Sequence, residues 1–111
     1  MTDLLETVGA QLDAARASTH GRSAQLVLHD GVLRQTVIAL VAGTELAEHN
    51  SPPAASLHVL KGRVQVTGVE ESEVETGTLV LLTHQRHAVL ALEDSVFLLT
   101  TVTGVEDQQR T

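Results

Sequence analysis

One change of hydrophobic period constrains this chain more than any other feature. Leu4, Leu5, Val8, Leu12 and Ala15 recur at helical spacing, and Asp3 followed by Glu6 fits a capping box. The spacing therefore predicts an amphipathic helix over 3–17, with Glu6, Gln11, Asp13 and Arg16 on its polar face. After a polar break over 18–23 that contains Gly21, apolar residues recur at nearly every second position almost to the end. A period near 2 sends successive side chains to opposite faces of an extended chain, so the rest reads as sheet.

The expected strands are 25–28, 33–41, 55–60, 63–67, 69–74, 78–82, 87–92 and 95–102, rich in Val, Leu and Thr. Asp30-Gly31 is the strongest hairpin signal, because a type I′ turn needs positive φ and glycine supplies it at little steric cost. Lys61-Gly62 and Thr67-Gly68 read as similar turns, and Glu93-Asp94 as a polar loop. Short strands with turn signals about every ten residues point to an all-β barrel or sandwich. A length of 111 residues suits one core. The expected organisation is a helix and connector over 1–24, a barrel over 25–103 and a polar tail over 104–111.

Composition excludes several function classes. Without Cys there are no disulfides, thiolate metal sites or cysteine nucleophiles. Seven basic against fourteen acidic residues give a net charge of -7, which disfavours nucleic acid and anionic membrane as partners. One Phe with no Trp or Tyr leaves no platform for base stacking. No apolar run approaches the ~20 residues that span a bilayer, and the acidic start lacks the basic and apolar parts of a signal peptide. A cytoplasmic protein is expected. Neither a Gly-x-Ser-x-Gly elbow nor a glycine-rich phosphate loop is present, which disfavours serine hydrolysis and phosphoryl transfer.

Two segments carry a resemblance to a known family. The stretch from Gly43 through His49 to Gly62 resembles the first cupin motif, which runs Gly, five residues, His-x-His, three or four residues, Glu, six residues, Gly. Gly43, His49 and Gly62 fall on that spacing, while Ser51 takes the second His place and Ala55 the Glu place. Gly77 opens a stretch similar to the second motif, with Thr83 at the Pro place, Gln85 at the Gly place, His87 one residue early and Ala91 at the Asn place. The resemblance covers about residues 25–103. It implies a small antiparallel jelly-roll β-barrel of the RmlC-like cupin type, all-β apart from the one helix.

In metal-dependent members of that family, the two His and the Glu of the first motif join the His of the second on one divalent ion. Carried over residue by residue, only His49 and His87 remain as metal ligands. Two imidazoles alone hold Zn, Ni, Fe or Mn weakly, since most sites supply three or four protein groups. One divalent metal and none are therefore equally open. The expected pocket residues are His49, Ser51, His87, Arg34 and Gln85. His58 lies three positions beyond Ala55, so alternation puts it on the outer face of its strand. His29 is expected at the rim.

Arg34 stands in an otherwise apolar strand, and its charge needs solvent, a carboxylate such as Glu45 or Glu48, or an anionic ligand. The run Glu70, Glu71, Glu73 and Glu75 reads as a solvated face that protects a sheet edge. The reading favoured by the missing ligands is a barrel that binds a small polar or anionic metabolite. The alternative is a metal-dependent oxygenase or isomerase using His49 and His87. The resemblance also implies a homodimer.

Overall fold

The computed structural model describes residues 1–47, 54–67, 72–82 and 87–103. The helix α1 (Leu4–Ala17) starts where the capping pattern predicts, with the Asp3 carboxylate accepting from the backbone N–H of Leu5 at 3.0 Å and of Glu6 at 3.3 Å. Among the described residues nine strands follow: β1 (Arg22–Asp30), β2 (Leu33–Leu40), β3 (Glu45–Ala47), β4 (Ala54–Lys61), β5 (Arg63–Thr67), β6 (Ser72–Glu75), β7 (Leu79–Leu82), β8 (Ala88–Ala91) and β9 (Ser95–Val102). They form two antiparallel sheets of order β1-β2-β9-β4-β7 and β3-β8-β5-β6. This is a small jelly-roll barrel.

Alternation along the strands sorts the side chains into two separate cores. Ile38, Leu40, Leu57, Val59, Val64, Val66, Val89 and Phe97 fill the space between the sheets. The intervening positions Val37, Ala39 and Val96 lie on the outer face of the larger sheet and pack against Leu12 and Ala15 of α1. The helix thus covers half of an otherwise exposed sheet face. Two of its residues depart from expectation. Leu5 is 86% exposed, and Gln11 turns toward β1, where its amide donates to Gln25 and its oxygen accepts from Ser23.

The strands differ most from the sequence reading at three places. β1 begins at Arg22, three residues earlier than expected, because its first residues pair with Leu40 and Ala39. The three-residue β3 lacked a legible period of its own and is held by pairing with Leu90, Val89 and Ala88. Of the segment 69–74, residues 72–74 lie in β6 and the rest falls outside the described residues.

Two turns are also corrected. The β1–β2 hairpin closes at Asp30↔Leu33, so its loop is Gly31-Val32. Gly31 has φ +57° and Val32 does not have positive φ, the pattern of a type II′ turn and not type I′. Lys61-Gly62 is not a hairpin turn, because β4 and β5 belong to different sheets and the chain crosses between them there.

Candidate functional site

Sheet register gives each strand a direction along the barrel. The pairs Ala54↔Val102, Ala55↔Leu82 and Thr67↔Ala88 set Ala54, Thr67, Leu82 and the start of β8 at one end, together with Leu33, which pairs with Val102. The Gly62 corner lies at the other. On the inward face of the larger sheet, the first row at the Ala54 end reads His29, Arg34, Thr101, Ala55 and Leu82 across β1, β2, β9, β4 and β7. The next positions inward on β2, β9 and β4 are Thr36, Leu99 and Leu57, and Leu57 is fully buried. The barrel interior therefore passes from polar at this end to packed apolar core within about two residues of strand.

His87 approaches the same end from the opposite sheet. It precedes β8, in which Val89 and Ala91 face the core, so alternation gives it the same inward side. Its Nδ1 donates to the Thr67 carbonyl at 3.3 Å, since a carbonyl oxygen only accepts. That tautomer leaves the ring's lone pair on Nε2. Of the expected pocket residues, Arg34 and His87 thus belong to one end of the barrel, in different sheets. His49, Ser51 and Gln85 lie outside the described residues.

Arg34 is exposed and makes no ion pair among the described residues. Pairing with Glu45 does not occur, because Leu46 points to the core and Glu45 to the opposite side of β3. Glu48 lies outside the described residues. Two other arginines do have carboxylates: Arg16 with Asp94 at 3.1 Å, and Arg63 with Glu73 at 2.5 Å. The remaining described arginines, Arg22 and Arg34, both face inward from the β1–β2 hairpin. His29, expected at the rim, is exposed near the end of β1, and register sets it directly opposite Arg34, on the same side. Its face is set by the shift of register between Leu26 and Leu28, which changes the face of every residue after it. His58 lies between the buried Leu57 and Val59 and faces outward.

The opposite end is built differently. Asp94 accepts from the Ala42 N–H at 2.9 Å and from the Arg16 guanidinium at 3.1 Å. The Ala42 bond first, and then Arg16, hold its carboxyl below the usual range. Ser95, fully buried, accepts from the Arg63 N–H at 2.9 Å and lies against Gly62. This end is tied shut by a hydrogen-bond network, and the chemistry-bearing side chains gather at the other.

Among the described residues, no three His, Asp or Glu side chains come together as a metal site, and His87 is the one expected ligand present. His87 alone does not make such a site.

No protein-family model and no curated protein matches the sequence. Solved structures do match. A conserved protein of unknown function from Streptococcus pyogenes is 26% identical, with a TM-score of 0.69 over 78% of this chain and 77% of that one. An RmlC-like cupin from Desulfovibrio desulfuricans is 22% identical, with a TM-score of 0.65 over 73% of this chain and 81% of its own. The chain has the cupin fold. A third match is a salicylate 1,2-dioxygenase from Pseudaminobacter salicylatoxidans, 15% identical with a TM-score of 0.78. It takes in 95% of this chain and 35% of the dioxygenase, so this chain corresponds to about a third of that protein. At these identities the cupin likeness is one of fold, and the departures at Ser51 and Ala55 stand beside it. Among the described residues, no helix is long and apolar enough to cross a membrane.

Proposed function

We propose that this cupin binds a small polar or anionic molecule at the Ala54 end of its barrel, with Arg34 and His87 as contacts and His49, Ser51 and Gln85 from the adjoining segments. The observation that carries this reading is Arg34. In a chain of net charge -7, an arginine on the inward face without a carboxylate partner among the described residues is a cation kept available for an anionic ligand. A thermal-shift screen of small organic acids, run on the parent and on Arg34→Gln, tests it. Acids that stabilise the parent and not the variant support the reading. Equal stabilisation of both contradicts it.

A second reading has its own observation. His87 donates through Nδ1 to a backbone carbonyl, the kind of bond that orients a metal-binding imidazole. In this reading His87 and His49 hold one divalent ion, Zn, Ni, Fe or Mn, and the chemistry is that of an oxygenase or isomerase. Elemental analysis of protein purified without tag or chelator, repeated on the His49→Ala, His87→Ala double variant, separates the two. Near-stoichiometric metal lost in the variant favours the enzyme.

The cupin is further proposed to form a homodimer through the outer sheet face left uncovered by α1. Leu79 and Leu81 are 67% and 76% exposed there. Beside them Ser56, His58, Thr100 and Val102 carry no formal charge while His58 is neutral. Two acidic chains can meet on this face without opposing carboxylates.

A further inference from the structure

A cavity lies on the flank of the barrel, apart from the Ala54 end. β1 is the edge of one sheet and β3 the edge of the other, and between them opens a cleft of about 360 Å³ lined by Arg22, Ser23, Ala24, Ile38 and Leu46. That volume falls at the lower end of the range of small-molecule sites, roughly 300–1,000 Å³. Its floor is apolar, formed by Ala24, Ile38 and Leu46, and Ile38 belongs to the barrel core. Its rim carries Arg22.

Arg22 is exposed and makes no ion pair among the described residues, although acidic residues outnumber basic ones two to one in the chain. Its backbone is fixed next to the cleft, because the preceding Gly21 accepts from the Val41 N–H at 2.9 Å and Arg22 itself pairs with Leu40. A guanidinium at the edge of an apolar hollow matches one ligand chemistry: a carboxylate carried on a short hydrocarbon body. The carboxylate meets the fork of Arg22, and the hydrocarbon covers Ala24, Ile38 and Leu46. We infer that the flank cleft between β1 and β3 binds small apolar monocarboxylates through Arg22. This site is independent of the one proposed above, since Arg22 and Arg34 lie at opposite ends of the hairpin.

Ile38 is the only isoleucine in the chain, so its δ1 methyl is a single, assigned reporter in the cleft floor. The full chain labelled at that methyl is titrated with hexanoate, and with hexanol as the uncharged control. Hexanoate is expected to shift the methyl saturably, with hexanol at least about tenfold weaker, as loss of a charge-assisted hydrogen bond implies. Arg22→Gln, an exposed substitution that leaves the core intact, should weaken hexanoate by a similar factor, and Arg34→Gln should leave it within about twofold. Ala24→Phe, which fills the cleft, should abolish the shift while the methyl remains dispersed as in a folded chain. Equal binding of hexanol and hexanoate overturns the inference. So does an unmoved Ile38 methyl, or a loss of binding in Arg34→Gln that matches the loss in Arg22→Gln.

Discussion

At the residue scale, the strongest constraints sit at the tied end of the barrel. Gly62 has φ +87°, and a Cβ there would stand 2.5 Å from the Asp94 carbonyl oxygen and 2.8 Å from the Ser95 Cα, with the Ser95 hydroxyl closer still. Neither backbone atom can move without dragging the β8–β9 connection. Gly62→Ala is therefore expected to cost at least about 1–3 kcal/mol, read from the urea midpoint. A cost under about 0.5 kcal/mol would contradict the close approach. Asp94 gives a pH prediction of definite sign. Its folded pKa is depressed, so its contribution is complete above the ordinary carboxylate value near ~3.9 and fades as pH falls through the lower folded value. Asp94→Asn keeps an oxygen for the Ala42 N–H but loses the charge facing Arg16. The gap in urea midpoint between parent and Asp94→Asn should stay constant from about pH 7 to 5 and shrink below about pH 4. A gap that holds at low pH would contradict it. Residue chemistry was partly legible in advance: Arg34 announced itself as a lone charge in an apolar strand. What could not be read was which carboxylates lay within its reach, since that depends on the pairing of β3, which no local pattern marks.

At the scale of elements, α1 was legible because its cap and its apolar spacing agree. Its exact face was less so. Leu4, Val8, Leu12 and Ala15 form the buried stripe, and Leu5, one step of 100° around the helix, falls outside it. Two truncations separate these roles. Leu12→Ala, at a side chain only 2% exposed, should destabilise by about 2–5 kcal/mol, and Leu5→Ala by no more than about 0.5 kcal/mol. Similar losses for both, measured by denaturant unfolding, would mean that α1 does not dock on the sheet in this orientation. The β1–β2 hairpin shows why the presence of two strands was readable and their inward faces were not. Alternation predicts two strands joined at a glycine turn, but the irregular register between Leu26 and Leu28 moves His29 to the inward side. Period-2 reasoning has no means of locating such a shift, because the residues on both sides of it keep their own alternation.

For the whole molecule, the two ends of the barrel divide the work of stability and of recognition. The Gly62 end is closed by Asp94, Ser95, Arg16 and Arg63, while inward-facing polar side chains from both sheets collect at the Ala54 end. Of the residues that carried the family resemblance, His87 lies at the Ala54 end, while Gly43 and Gly62 lie at the other. The departures at Ser51 and Ala55 are what turned the reading from metal chemistry toward ligand binding. Outside the barrel, the uncovered sheet face makes a prediction about assembly. Sedimentation equilibrium should give a dimer for the parent and a monomer for Leu81→Lys, which buries an unpaired charge in the contact. A parent that sediments as a monomer would contradict the homodimer. The most direct test of the central claim is to map, by backbone amide shifts, where an organic acid found in the thermal-shift screen binds. Shifts concentrated at Arg34, Thr36, Thr101 and His87, drawn from both sheets and lost in Arg34→Gln, are the predicted result; shifts confined to the outer face around Leu79 and Leu81 would contradict it.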